Sequence, residues 1–219
     1  MRRSERVTGT DNVYVAKQGF WATFPFIVST ILSGGLVIAF ANLLPKEIYG
    51  TYRYILSAGG IISFLTLSGM NTALTQAIAQ GANGLLAWSI RVQLRFNSLY
   101  ALACLIGAIY YWIHDNYTLA VGIMIMGITF PLNTALTSYG AYLAGKRDFK
   151  TGAHYAIISS IFFSTIVLTT LLLTNNVLLL VAAYALGILV PSAYFYFRTV
   201  RADNQYILQA LEQKNVLRY

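Results

Sequence analysis

Charged residues are scarce in this chain. Of its 219 residues, 10% are Asp, Glu, Lys or Arg, against about a quarter in ordinary soluble domains. Hydrophobic residues make up 57% and the mean hydropathy is +0.61. These values exclude a water-soluble globule and a disordered chain. The net charge of +8 does not indicate a nucleic-acid partner, because the basic residues lie between long apolar runs.

Cysteine, histidine and buried acids are equally few. The single cysteine, Cys104, lies within an apolar run and forms neither an internal disulfide nor a zinc site by itself. His114 and His154 are predicted at opposite membrane faces, and no carboxylate lies within the apolar runs. We therefore expect no catalytic residue, metal site or cofactor, and a protein that is not an enzyme. The lack of buried acids also disfavours a typical acid-coupled proton or sodium antiporter.

Long apolar runs dominate what remains. A helix needs roughly 20 apolar residues to cross about 30 Å of hydrocarbon, and six windows reach that length. None contains an acidic residue, and the runs lack the strict alternation of a membrane β-barrel. The sequence predicts an all-α polytopic membrane protein, a bundle of six transmembrane helices. The windows are 19–44, 52–77, 93–113, 118–144, 155–174 and 177–197.

The basic residues favour one side of the membrane. With six spans, 13 of the 15 Lys and Arg residues fall on one side, which the positive-inside rule identifies as cytoplasmic. We therefore predict a cytoplasmic N-terminal segment (1–18), a transmembrane lobe (19–197) and a cytoplasmic or interfacial tail (198–219). Both termini face the cytoplasm of a cell inner membrane. The predicted outer loops are short, at 45–51, 114–117 and 175–176.

Few polar residues lie at membrane depth. Arg53, one turn inside the second window on the outer side, is a candidate to bind a phosphate, although it could also extend to the head groups or pair with Glu47. Asn133 and Thr137 are four residues apart and share a helix face beside Pro131. These two are candidate polar contacts for a substrate, or hydrogen-bond partners that join helices.

Small residues and prolines recur within the windows. Prolines kink helices, as transporters often require, but they are common in membrane helices generally. Small residues at helical spacing predict close packing of neighbouring helices. The prolines are Pro25, Pro131 and Pro191, and the small-residue clusters are Gly59, Ser63, Thr66, Gly69 and Ala73 in the second window and Ser29, Ser33, Gly34 and Gly35 in the first.

Three stretches carry a family pattern. They are Leu44-Pro45-Lys46-Glu47-Ile48-Tyr49-Gly50-Thr51-Tyr52, Leu67-Ser68-Gly69-Met70-Asn71-Thr72-Ala73-Leu74, and Gly145-Lys146-Arg147-Asp148-Phe149-Lys150. In these stretches the chain resembles the amino-terminal half of the polysaccharide-exporter flippases. Those are the O-antigen and teichoic-acid type transporters of the multidrug and oligosaccharide-lipid exporter superfamily.

The resemblance implies a flippase that moves lipid-linked oligosaccharide, of the undecaprenyl-diphosphate type, to the outer leaflet by alternating access. In that family two six-helix lobes enclose a cationic cavity, and this chain resembles one lobe. A homodimer or a second lobe is therefore an expected partner, together with membrane lipids. Arg53, Asn133 and Thr137 are the candidate substrate-binding residues. The alternatives are a small-molecule multidrug-type exporter and a non-transporting membrane subunit of a polysaccharide biosynthesis complex.

Overall fold

The computed structural model describes the backbone of residues 12–66, 69–82 and 85–216, and the side chains of 18–64, 66, 69–82 and 85–202. Throughout this part of the chain the regular structure is helical. A 3₁₀ turn, Ser63–Leu65, follows the second helix. The α-helices are α1 (Asn12–Leu43), α2 (Lys46–Ile62), α3 (Met70–Ala79), α4 (Leu85–Ile113), α5 (Tyr117–Leu136), α6 (Ser138–Gly145), α7 (Phe149–Leu173) and α8 (Val177–Val216).

The predicted fold class, an all-α membrane bundle, is confirmed. Five helical stretches are long and apolar enough to cross a bilayer. They coincide with five of the six predicted windows, although the third begins eight residues earlier than predicted. The stretches are Gln18–Leu43, Leu85–Ile113, Tyr117–Gly145, Phe149–Leu173 and Val177–Ala202.

The second predicted window, 52–77, is not one helix. The α-helix ends at Ile62, a 3₁₀ turn follows, and Thr66 is extended (φ −86°, ψ 156°) before α3 begins at Met70. The hydroxyls of Ser63 and Thr66 donate to nearby backbone carbonyls, at 2.5 and 2.7 Å, and so compete with the helix for its acceptors. Ser63 and Thr66, two of the small residues predicted to pack against a neighbouring helix, instead lie where the span is interrupted.

The prediction of a loop at 45–51 is also wrong after Pro45. Pro45 precedes the first turn of α2, with φ −57° and ψ 141°, and the chain is helical from Lys46. Proline is well suited to this position, because a helix start has no partner for its N–H. The backbone of α8 continues to Val216, through most of the tail predicted to be cytoplasmic or interfacial, and the side chains beyond residue 202 lie outside the described residues.

Helix ends meet in two clusters. At the end of the bundle that contains Pro45, here the Pro45 end, α1, α2, α5, α7 and α8 enclose one core cluster. There the ring of Phe40 stacks on that of Tyr52 with centroids 5.0 Å apart. At the opposite end, α3, α4, α6, α7 and α8 enclose a second, in which Tyr155 and Phe195 stack at 4.1 Å. This is the basic end, which carries Arg91, Arg95, Lys146, Arg147, Lys150, Arg198 and Arg201.

Helix α1 follows α7 toward the basic end. The Ser29 and Ser160 hydroxyls are hydrogen-bonded at 2.7 Å, and the Trp21 and His154 rings stack at 5.3 Å. Helix α3 instead packs against α6. The first two predicted spans therefore meet at the Pro45 end and join different neighbours at the basic end.

Several of the close contacts between helices occur at glycines, but mostly not at the glycines predicted from the sequence to pack closely. A Cβ at Gly145 would lie 2.7 Å from Ile78 Cβ and 2.8 Å from the Thr75 carbonyl oxygen, so α6 and α3 touch through this glycine. The predicted stripe is right at Gly59, where a Cβ would lie 3.0 Å from the Tyr100 hydroxyl. It is wrong at Gly34, Gly35 and Gly69, where a Cβ would have no neighbour within 4 Å.

Candidate functional site: the polar face of α2 and α3

Helix α2 is the most amphipathic of the described helices. Its buried face consists of Tyr52, Ile55 and Gly59, which pack against α4, α5 and the core at the Pro45 end. Residues of the opposite face recur at every third or fourth position, as the residues on one face of a helix do. Its exposed members include Gly50, Arg53, Ser57 and Gly60, which are small, polar or charged, beside the larger Tyr54 and Ile61.

Helix α3 has the same polarity beyond the break. Leu74 and Ile78 are buried against α6. Thr72 and Gln76 are exposed one helical turn apart, and the exposed Gln80 follows at the same spacing just past the end of α3. We call Gly50, Arg53, Ser57, Gly60, Thr72, Gln76 and Gln80 the polar face.

A polar face is costly in hydrocarbon. A guanidinium and amide groups facing lipid lose their hydrogen bonds to water, and an interrupted helix leaves backbone groups unpaired. Such groups are tolerated at membrane depth where they line water or are covered by protein. The polar face is thus the part of the described surface best suited to border an aqueous cavity or a partner.

Arg53 is the one cation on the polar face. Its side chain is exposed and forms no ion pair with any described residue, Glu47 included. The Glu47 pairing considered from the sequence is therefore absent. All five guanidinium N–H donors remain available to a ligand.

Asn133 and Thr137 form hydrogen bonds within the bundle. Asn133 Oδ1 accepts a 2.9 Å hydrogen bond from the Ser192 hydroxyl of α8, and Thr137 Oγ1 donates to the Asn133 carbonyl oxygen at 2.9 Å. The Asn133–Ser192 bond is a helix-joining interaction of the kind considered as the alternative role, whereas the Thr137 hydroxyl bonds only within its own helical segment. Both residues are half-buried, so their binding to a substrate stays a prediction.

The three predicted residues do not form one cluster. At 1.5 Å per residue, Arg53 lies about 10 Å along α2 from the Pro45 end, and Asn133 lies about 24 Å along α5 from the same end. A ligand group held at Arg53 would therefore have to move about 14 Å in depth to reach Asn133.

A broad cleft opens at the Pro45 end beside α2. Its volume is about 880 Å³, and the hydroxyls of Tyr54 and Tyr111 are hydrogen-bonded to each other at its wall. Glu47, Thr51 and Asn116 supply further polar groups. Arg53 does not line this cleft, although it adjoins Tyr54 in sequence.

The chain matches a known protein family. The family model described as polysaccharide biosynthesis protein matches residues 15–219. The chain belongs to the polysaccharide biosynthesis protein family. This confirms the resemblance to a polysaccharide-exporter type of family drawn from the sequence. No curated protein and no solved structure matches the chain.

Members of the polysaccharide biosynthesis protein family are typically transporters rather than enzymes. In the described residues, no three His, Cys, Asp or Glu side chains come together as metal ligands. The membrane-embedded helices and the family together assign the chain to polysaccharide biosynthesis at a membrane.

Sequence reasoning singled out Arg53 but missed the rest of the polar face. The spacing of Gly50, Arg53, Ser57 and Gly60 was a readable signal of one helix face. It also missed a buried polar file on α4, in which Ser89, Gln93 and Asn97 are at most 1% exposed. Their spacing of four residues places them on one face, but their burial depends on α5 and α6, which the sequence does not position.

Proposed function

We propose that this chain is one lobe of a flippase that moves lipid-linked oligosaccharide from the cytoplasmic to the outer leaflet for surface polysaccharide synthesis. Alternating access is the mechanism that we infer. The observation that carries the proposal is the exposed polar face, with an unpaired Arg53, on a bundle with five helical stretches apolar enough to span a membrane. Membership of the polysaccharide biosynthesis protein family supports a saccharide-bearing substrate.

The proposed role of Arg53 follows from its charge and exposure. The head group of a lipid-linked oligosaccharide of the undecaprenyl-diphosphate type carries a diphosphate, and guanidinium binds phosphate oxygens in a bidentate manner. The other groups of the polar face are neutral. They can hydrogen-bond sugar hydroxyls or water while the lipid tail stays in the bilayer.

The polar face must also be shielded from lipid. We propose that a second lobe, either a second copy of the chain or a separate polypeptide, faces α2 and α3 and closes the cavity. Both termini of the predicted topology lie on the cytoplasmic side of the inner membrane, so two copies could associate in parallel. Crosslinking in membranes should trap a species of twice the chain mass if the partner is a second copy. Another mass would identify a different partner.

The direct test is complementation of a strain that lacks its oligosaccharide flippase, with surface glycan and membrane abundance both measured. Arg53→Ala should lower export about tenfold or more at unchanged abundance, since a hydrogen bond to a charged group contributes about 1.5–3 kcal/mol. Arg53→Lys should retain part of the export, because it keeps the charge but loses the bidentate geometry.

Lys46→Ala is the matched control. Lys46 is the other cation at the Pro45 end, exposed at the first residue of α2 and outside the polar face. Its removal should leave export unchanged. Normal export by the Arg53→Ala variant would mean that Arg53 only anchors α2 at the lipid head groups. Unchanged glycan export on deletion of the chain would instead favour a non-transporting subunit of the biosynthetic complex.

A further inference from the structure

The cleft at the Pro45 end brings together polar side chains from two parts of the chain. Glu47, Thr51 and Tyr54 line it from α2, and Tyr111 of α4 and Asn116 at the start of α5 complete the polar lining. Its volume is about 880 Å³, within the range of roughly 300–1,000 Å³ that ligand sites occupy. The cleft is therefore large enough for a small polar molecule that enters from water.

Several hydrogen-bonding groups of the cleft are not used within the protein. The Glu47 carboxylate forms no ion pair or hydrogen bond with a described residue. Asn116 Oδ1 accepts a 3.2 Å hydrogen bond from the Leu119 N–H, which leaves the two N–H donors of its amide without a described partner. The Tyr54 and Tyr111 hydroxyls bond to each other, so one of their two protons remains to be donated. The cleft therefore offers acceptors and donors together.

This set of groups is suited to a neutral ligand that is rich in hydroxyls. A carboxylate can accept hydrogen bonds from two neighbouring hydroxyls, and amide and phenol groups can donate to hydroxyl or ring oxygens. The ring of Tyr54 is 48% exposed and offers an apolar surface to the C–H groups of a sugar ring. No Lys, Arg or His is among the described residues that line the cleft, and the Glu47 carboxylate repels anions. The cleft thus disfavours phosphate and favours carbohydrate.

The cleft adjoins the polar face of α2. Gly50 belongs to the polar face and also lines the cleft. A Cβ at this glycine would have no neighbour within 4 Å, so the surface between the cleft and the polar face is open. Arg53 lies six residues after Glu47, which is about 9 Å along the helix and about a third of a turn around it. A ligand that carries both sugars and a diphosphate can therefore reach the two at the same time.

We propose that this cleft binds the sugar residues of the substrate while Arg53 binds its diphosphate. The inference rests on the proposed function for the identity of the substrate, and on the cleft for the position of its carbohydrate. In the predicted topology the Pro45 end faces the outside of the cell. The cleft therefore receives the sugars after they have crossed the membrane and holds the oligosaccharide before its release.

The test measures the two halves of the substrate separately, on the purified full chain in detergent. Saturation-transfer difference NMR detects weak binding of free glucose, galactose, rhamnose and N-acetylglucosamine, with betaine as a solute that has no hydroxyls. Line broadening in phosphorus NMR detects binding of pyrophosphate. At least one of the sugars should receive more transfer than betaine, and pyrophosphate should not displace it. Transfer to none of the sugars, or loss of the sugar signal on addition of pyrophosphate, would overturn the proposal.

Matched variants locate the bound sugar. Glu47→Gln removes the charge of the acceptor and should weaken sugar binding about tenfold, because a hydrogen bond to a charged group is stronger than one to a neutral group. Asp115→Asn is the control, since Asp115 is the other described acidic residue at the Pro45 end, is exposed and does not line the cleft. Its positive φ of 58° is tolerated by Asn. Equal sugar binding by the two variants would contradict the assignment.

A second pair of variants tests the aromatic lining. Tyr54→Ala removes the exposed ring and the hydroxyl pair, and should weaken sugar binding about fivefold or more. Tyr110→Ala should not, because Tyr110 is an exposed tyrosine at the same end that does not line the cleft. Equal losses in both variants would mean that the sugar does not contact Tyr54.

The cleft and the proposed role of Arg53 fail separately. Arg53→Ala should abolish the broadening of the pyrophosphate signal and leave the transfer to sugar unchanged. Sugar binding without pyrophosphate binding in the unaltered chain would retain the cleft and refute the role of Arg53. Pyrophosphate binding without sugar binding would refute the cleft and retain the role of Arg53.

Discussion

Helix α7 and the α2–α3 segment differ in almost every respect, although the sequence predicted the same kind of span for both. Helix α7 is continuous over 25 residues and is among the most apolar of the five spanning stretches. The α2–α3 segment is interrupted after Ile62 and exposes a polar face. An apolar helix satisfies its backbone internally and can face lipid, whereas an interrupted polar one requires water or protein. The contrast is the reason for taking α2–α3 as the candidate functional part of the bundle.

The largest difference should appear when a charge is added to each segment. Ile161 lies near the middle of α7 and is 50% exposed, and Ser57 lies on the polar face. Ile161→Arg should sharply reduce membrane abundance, because a charge at mid-depth costs about 2.5–3.5 kcal/mol on insertion scales. Ser57→Arg should be tolerated, and immunoblots of isolated membranes measure both. Equal losses in the two variants would mean that the polar face also contacts lipid.

A smaller effect is expected from packing of the broken segment. Gly145→Ala would push a methyl group into the Thr75 carbonyl and Ile78, and should destabilise the contact of α6 with α3 by about 1–3 kcal/mol. Gly140→Ala on the same helix meets nothing within 4 Å and is the matched control. Thermal unfolding in detergent separates the two. A Gly145→Ala variant as stable as Gly140→Ala would show that α3 is free to move away from α6.

Water access provides a third comparison. A cysteine in place of Ser57 or Gln76 on the polar face should react with a water-soluble maleimide about tenfold faster than one in place of Ile158 of α7, because the reactive thiolate forms only where water reaches. Cys104 is buried and supplies a low background. Equal labelling rates at positions 57 and 158 in membranes would contradict an aqueous cavity beside the polar face.

The smallest effect on stability is expected at the contact between α1 and α7, two apolar helices that pack against each other. Ser160→Ala removes the hydrogen bond to Ser29 and should cost about 0.6 kcal/mol, the average for such bonds between membrane helices. Thr30→Ala is the control, since the Thr30 hydroxyl bonds only to the Phe26 carbonyl of its own helix. A loss well above that average in Ser160→Ala would mean that this pair carries more of the stability than its apolar character implies.

The candidate site was partly predictable. Arg53 could be identified because a cation inside an apolar window is conspicuous in any sequence. Its separation from Asn133 could not be foreseen, since that depends on where α2 and α5 begin. The break after Ile62 was also hidden, because glycine, serine and threonine at helical spacing are equally compatible with close packing and with an interrupted helix.

The sequence alone determined the membrane environment, the helical class, the asymmetry of charge and the family. Each depends on composition, run length or local motif, which require no knowledge of distant contacts. Only the tertiary structure decided which polar groups are exposed and which are buried. Arg53 is exposed because the opposite face of α2 packs on the bundle, and Asn97 is buried because α5 covers it. Burial is a property of the neighbours that a helix acquires, and those neighbours come from elsewhere in the chain.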